Sequence, residues 1–292
     1  MIVVTGAAGQ LGTAFQTILP DDCVFLSRAD LDLTNRDSMA PTIAAIKPTA
    51  VINCAAYTDV DRAETDEETA NVVNGYAVGE LAGVCRDIGA RFVTFSTDYV
   101  FDGTKDGGYV ESDAPSPINA YGRSKLLGER LTSEINPDAL VVRTSWLLSG
   151  THPNFVRTML RLLAEGEVSV VNDQFGRPTL VDDLAPAVLE AMGLGLVGIL
   201  HLANEGVTTW FGLAREVAGI AGVDTSRVRP CATPDYPTPA VRPANSVLET
   251  ERFNSSGLTP MPDYHASLMS AVRAHILSQN VHRASQRDRE DS

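Results

Sequence analysis

Seven residues, Gly6-Ala7-Ala8-Gly9-Gln10-Leu11-Gly12, limit what this chain can become more than any other stretch. They follow Ile2-Val3-Val4-Thr5, a short β-branched run suited to a buried parallel strand. The glycines permit a sharp turn and a close approach of backbone to a pyrophosphate. Leu11 to Leu19 has helical periodicity, so a helix N-terminus would direct free N–H groups at the phosphates. A glycine-rich surface loop would look the same, so the nucleotide reading needs support from elsewhere. The spacing is Gly-x-x-Gly-x-x-Gly, not the Gly-x-Gly-x-x-Gly of dehydrogenases that bind a dinucleotide alone.

The rest of the chain supplies that support. Apolar β-rich runs recur at residues 2–5, 24–26, 50–54, 91–96, 140–144, 168–171 and 199–202, and helical stretches at 11–19, 36–46, 67–88 and 120–134 lie between most of them. This alternation predicts an α/β fold, a Rossmann-like doubly wound parallel sheet with helices on both faces. Ligands of such sheets bind beyond the carboxyl ends of the strands, which places the site in the loops after Thr5, Leu26, Asn53, Ser96 and Thr144. Past residue 150 the alternation weakens, and Pro230 to Pro243 is proline-rich, an extended loop over a surface or cleft. The expected organisation is a dinucleotide-binding domain over 1–150, with strands 168–171 and 199–202 returning to it. A smaller, mainly helical substrate lobe takes 151–167 and 203–280, and 281–292, polar and without apolar spacing, is expected to be a disordered tail.

Composition narrows the function. A net charge of −14 argues against non-specific nucleic-acid binding, which needs a basic surface. Cys23, Cys54, Cys85 and Cys231 are far apart and read as buried free thiols, and the five histidines make no ligand-spaced pair, so no metal is expected. No apolar stretch is long enough to span a bilayer, and with no export signal the expected place is the cytoplasm.

The candidates for chemistry are Tyr121 and Lys125, four residues apart on one face of an expected helix, a common pattern that by itself reads as an exposed pair. A free tyrosine has a pKa of ~10 and exchanges protons poorly at neutral pH. A neighbouring ammonium favours the phenolate and is expected to lower that value, which suits acid–base work. The strand before them ends Phe95-Ser96-Thr97-Asp98-Tyr99, where a hydroxyl could hydrogen-bond a substrate carbonyl. Glycine turn, strand-end hydroxyl and Tyr-x-x-x-Lys stand in the order a carbonyl reductase needs. For the cofactor, the second strand ends Leu26-Ser27-Arg28, with no acid for a ribose 2′-OH and an arginine available for a 2′-phosphate. NADPH is expected, with NADH possible.

With these motifs the chain resembles the extended short-chain dehydrogenases/reductases, and among them the reductases of dTDP-linked ketosugars, over roughly residues 1–278. The most specific stretches are 51–64, 96–103, Arg-Thr-Ser-Trp at 143–146, 172–179, and Tyr-Pro-Thr-Pro-Ala-Val-Arg-Pro-Ala-Asn-Ser at 236–246. The resemblance implies Tyr121 as proton donor to the C4 oxygen, Lys125 holding the nicotinamide ribose and Thr97 hydrogen-bonding the substrate. Gly6, Gly9, Gln10, Leu11 and Gly12 would form the pyrophosphate turn, Asp32 and Leu33 would flank the adenine, and Ala55, Ala56, Tyr57, Thr58 and Phe95 would line the cofactor. Asp98, Tyr99 and Trp146 would contact the sugar nucleotide, and Arg242 its diphosphate. The implied reaction is reduction of the C4 ketone of dTDP-4-dehydro-β-L-rhamnose, the last step in making dTDP-L-rhamnose. The alternatives are another dTDP-4-keto-6-deoxysugar, or a non-catalytic dinucleotide-binding subunit resembling the regulatory subunit of methionine adenosyltransferase. Some relatives dimerise through a metal held by carboxylates on the first helix. Residues 13–18 contain none, so a monomer or a plain homodimer is expected.

Overall fold

The structure, a computed structural model, describes residues 1–290. Six strands form its central sheet: β1 (Ile2–Thr5), β2 (Val24–Leu26), β3 (Ala50–Asn53), β4 (Arg91–Thr97), β5 (Leu140–Thr144) and β6 (Gly198–His201). All neighbours are parallel, and the spatial order is 2-1-3-4-5-6. Val3, Val4, Val51, Ile52, Phe92 and Val93 are fully buried because helices cover both faces. The order reverses between β1 and β3, and such a switch point opens a crevice at the carboxyl edge.

One face is covered by α1 (Gln10–Ile18), which sends Leu11, Ala14 and Phe15 onto the sheet. The other face carries α2 (Met39–Ile46), α3 (residues 67–88) and α4 (Ala120–Ile135). Helix α3 contains a π-helical turn at Val72–Tyr76, which brings Asn74 inward. The smaller lobe packs α5 (Phe155–Glu165), α7 (Trp210–Ile220) and the start of α8 (Tyr264–Glu290) around Leu148, Val156, Leu163, Leu213 and Val217.

Three boundaries differ from the sequence expectation. Val168–Val171 does not return to the central sheet; it pairs in parallel with Val228–Cys231 in the smaller lobe. Its alternating exposure, with Ser169 exposed and Val170 buried, suits a surface ribbon, whereas central strands are buried on both faces. Pro230 sits in that ribbon, where a missing N–H is tolerated at an edge. Helix α6 (Val181–Gly193) packs on α1, and Phe253, Leu258 and Met261 join the same core, so these residues belong with the sheet. Last, α8 continues through Glu290, over most of the segment expected to be a disordered tail; residues 291 and 292 lie outside the described residues. The stretch is rich in good helix formers, which periodicity alone does not weigh.

All four cysteines are free; Cys85 is buried and the other three are half-buried rather than buried. Among the described residues no helix is long and apolar enough to cross a membrane, and no cluster of His, Cys, Asp or Glu could hold a metal ion.

Candidate active site

Two cavities open at the carboxyl edge of the sheet. The larger, of about 670 Å³, runs from Arg28 at the end of β2, past the glycine turn, to Lys125. The smaller, of about 390 Å³, lies between β4 and the helical lobe. Tyr121, Gln10, Thr58 and Leu147 line both, so the tyrosine stands where the two spaces meet.

The glycine turn begins at Gly6, whose φ of +64° only glycine adopts without strain, and a Cβ there would lie 2.5 Å from Ala55 N. The turn exposes Ala8 and Gly9 beside the N-terminus of α1. Gly12 does not line the cavity. A Cβ on it would fall 2.4 Å from Gly6 O, so its task is to seat α1 against the turn. The other residues expected at a dinucleotide all line this space: Gly6, Gly9, Gln10, Leu11, Arg28, Asp32, Leu33, Ala55, Ala56, Tyr57, Thr58, Phe95, Tyr121 and Lys125. Arg28 is largely exposed, with Nε 3.3 Å from Asp32 Oδ2. Asp32 Oδ1 accepts from Thr34 N and Oγ1, both at 2.9 Å, which holds the acid turned into its own loop.

Helix α4 delivers Tyr121 one residue inside its start. Asn119 caps it by accepting from Gly122 N at 2.7 Å, and Glu64 Oε1 accepts from Ala120 N at 2.7 Å. Gly122 is obligatory for packing, since a Cβ would lie 2.1 Å from Tyr99 O. The Tyr99 ring meets Tyr121 edge-on with centroids 6.2 Å apart. Thr97 Oγ1 donates to Asp98 Oδ1 at 2.9 Å and accepts from Tyr99 N at 3.2 Å. Thr97, Asp98, Tyr99, Trp146 and Arg242, the expected substrate contacts, all line the smaller cavity.

The electrostatics correct one expectation. Burial, then the neighbouring Asp98 charge, push the Tyr121 phenol up, while the Thr97 hydroxyl pulls the other way. Lys125 is not among the groups that shift it. Its own ammonium is lowered by burial to about 8, opposed by Glu129 one turn along α4. Burial raises Asp98 to about 6, against the Ser246 and Thr97 hydroxyls. Tyr121 is therefore held in its protonated form where the two cavities meet, the state a donor needs.

Several site residues have no signal in local sequence. Asn74, in the π turn, accepts from Tyr57 N at 2.8 Å and donates to Tyr57 O at 2.9 Å and to Ser124 Oγ at 3.0 Å. It ties the cofactor wall to the helix of Tyr121. His152 reaches from the smaller lobe to the glycine turn, donating from Nε2 to Ala8 O at 3.2 Å, and Asn154 Nδ2 donates to Gln10 Oε1 at 3.0 Å. Trp210 stacks on Trp146 with centroids 3.6 Å apart and planes 8° from parallel, and Phe155 tilts against it. Trp146 adopts φ +47°, outside the usual range for a bulky residue. Arg62, Asp66 and Thr69 line the larger cavity.

This arrangement fits a long nucleotide cofactor beside a smaller polar ligand, and the comparison with known proteins agrees. The family model described as RmlD substrate binding domain matches residues 1–276. The chain belongs to that family. Within the RmlD family it is 43% identical to the dTDP-4-dehydrorhamnose reductase of Burkholderia thailandensis, over 95% of this chain and 99% of that protein. It is 41% identical to the dTDP-4-keto-6-deoxy-D-glucose reductase of Streptomyces niveus, over 92% of this chain and 95% of that one. Among solved structures, it superposes on the dTDP-4-dehydrorhamnose reductase of Bacillus anthracis in complex with NADP with a TM-score of 0.88. That pair is 35% identical over 95% of this chain and 98% of that one.

Proposed function

We propose that this chain is an NADPH-dependent oxidoreductase that reduces the C4 ketone of dTDP-4-dehydro-β-L-rhamnose to dTDP-β-L-rhamnose. The observation that carries the reading is the junction of two cavities at Tyr121, with Lys125 on the larger side and Thr97 on the smaller. The residues of the larger cavity suit a dinucleotide phosphate. The exposed backbone of Ala8 and Gly9 beside the N-terminus of α1 suits a pyrophosphate, and the exposed Arg28 guanidinium suits a 2′-phosphate.

When bound, NADPH supplies the hydride to C4. The chain does the rest. Tyr121 donates its phenolic proton to the oxygen at C4 as negative charge grows there. Lys125, buried and charged below about 8, holds the ribose and supplies a positive field near the phenol. Thr97 turns its hydroxyl proton from Asp98 Oδ1 to the same oxygen, and Arg242 meets the diphosphate. Holding both partners in register contributes much of the rate. The partners proposed are a dTDP-sugar and no nucleic acid or membrane, with a monomer or homodimer in the cytoplasm, where NADPH is at hand.

The test is loss of NADPH absorbance on adding freshly generated dTDP-4-dehydrorhamnose, with NADH in parallel. Tyr121→Phe should abolish turnover, by about a thousandfold or more, while the Kd for NADPH stays within about twofold of wild type. Turnover near wild type in that variant would refute the assignment. The identity to the Streptomyces niveus reductase, close to that of the first relative, favours as second reading a different dTDP-4-keto-6-deoxysugar. Oxidation with that ketosugar and none with the rhamnose precursor would select it.

A further inference from the structure

The proline-rich strap that carries Arg242 is fastened to the nucleotide-binding half through one carboxylate. Asp61 lies in the short helix Val60–Ala63, which begins where the cofactor wall ends at Thr58. Asp59 fixes the start of that helix by accepting from Arg62 N at 3.0 Å. Asp61 Oδ2 accepts from Arg242 Nη2 at 2.9 Å, and its Oδ1 accepts from Ala240 N at 3.2 Å. The same carboxylate thus grips both the side chain and the backbone of the strap.

The rest of the guanidinium is partly committed as well. Nη1 donates to Thr238 Oγ1 at 2.5 Å and to Ala240 O at 3.2 Å. Among the described residues the Nε edge has no hydrogen-bond partner, and Arg242 lines the smaller cavity. Asn119, the cap of α4, donates Nδ2 to Val241 O at 2.9 Å, so the strap is referenced to the helix of Tyr121 too. A guanidinium binds a diphosphate through two parallel N–H groups, and that fork needs a fixed plane. Three bonds to Asp61, Thr238 and Ala240 fix the plane and leave one edge for an anion.

We propose that Asp61 is a positioning residue for the nucleotide diphosphate: it does not touch the ligand but sets the plane of Arg242 and holds the strap over the smaller cavity. Burial would raise the Asp61 carboxyl, yet the bonds from Arg242 and Ala240 hold it below its ordinary value, so it is charged at working pH. The proposal rests on the reading of Arg242 as the diphosphate contact. The opposite role, a competitor that the diphosphate must displace, predicts the opposite sign.

The test is calorimetric titration of dTDP into wild type, Asp61→Asn, Asp61→Ala, Arg242→Ala and the double variant Asp61→Ala/Arg242→Ala, with circular dichroism to confirm folding. We expect Asp61→Ala to weaken dTDP by about tenfold. Asp61→Asn, whose amide oxygen still accepts from Ala240 N, should lose about threefold. The double variant should be no weaker than Arg242→Ala, because Asp61 acts through that arginine. In turnover, KM for the sugar nucleotide should rise with that Kd, while kcat and the Kd for NADPH stay within about twofold of wild type. Wild-type or tighter dTDP binding in Asp61→Asn and Asp61→Ala overturns the proposal, as does a deficit that simply adds to that of Arg242→Ala. If Arg242→Ala itself binds dTDP like wild type, the diphosphate reading of the arginine fails instead.

Discussion

Two ionisable neighbours of Tyr121 decide how this site responds to pH. Lys125 is buried, and its ammonium is lowered to about 8. It is charged below that value and neutral above it, so a role that needs its charge is lost as pH rises through about 8. We expect kcat/KM to fall above that pH by about tenfold per unit, with no basic limb from Tyr121, which burial and Asp98 push the other way. A pH profile of kcat/KM checks this; a flat profile to about pH 10 would remove Lys125 from the charged role. The pair Tyr121 and Lys125 was singled out by its spacing together with its place after the fourth strand and the glycine turn, since the spacing by itself is common. Their charge states were not, because a pKa is set by burial and by Asp98 and Glu129, which only the packed site supplies.

At the scale of elements, the glycine turn and α1 act as one unit. A Cβ at Gly12 would sit 2.4 Å from Gly6 O and 2.7 Å from Ala7 Cα, and backbone atoms have little room to yield. Gly12→Ala should lift α1 from the turn, cost roughly 1–3 kcal/mol of stability as overpacking does, and weaken NADPH by about tenfold or more. Urea unfolding and a fluorescence titration of NADPH measure the two effects. The motif was readable in sequence, but the division of labour within it was not. Gly6 takes a left-handed φ, whereas Gly12 only keeps two elements close. The strand at Val168–Val171 shows the opposite case. Its β-branched composition predicted a strand correctly, yet its partner, Val228–Cys231, is a long-range choice that composition does not encode.

Across the whole molecule, a buried ion pair joins the sheet to the helix of the active site. Arg143 on β5 meets Glu129 on α4 through two bonds, Nε–Oε1 at 2.8 Å and Nη2–Oε2 at 2.7 Å, with both side chains almost fully buried. Arg143 Nη1 also lies 3.4 Å from His201 Nε2, while His201 Nδ1 donates to Glu249 O at 2.9 Å. Burial and Arg143 lower the His201 imidazole to about 3, so it stays neutral and accepts from the arginine. Removing one partner strands a charge: Glu129→Ala should cost about 3–5 kcal/mol, and the double change Glu129→Leu/Arg143→Met much less. Chemical denaturation of both variants beside wild type tests this. An equal loss in the double variant would mean that the pair contributes net stability beyond satisfying itself.

The residue order alone was enough to read the class of fold, and it pointed to the carboxyl edge of the sheet and to the residues proposed here for the chemistry. Strand patterning, a glycine turn and an i, i+4 Tyr–Lys pair are local signals, and local geometry reads them. Packing in three dimensions chose the distant residues that complete the site. Asn74 enters through a π turn, His152 and Asn154 arrive from the smaller lobe, and Trp210 stacks on Trp146 across 64 positions of sequence. Asp61 grips Arg242 from 181 residues away. Such contacts form only when the lobes pack, because their energy comes from burial and hydrogen-bond geometry between segments that share no local pattern.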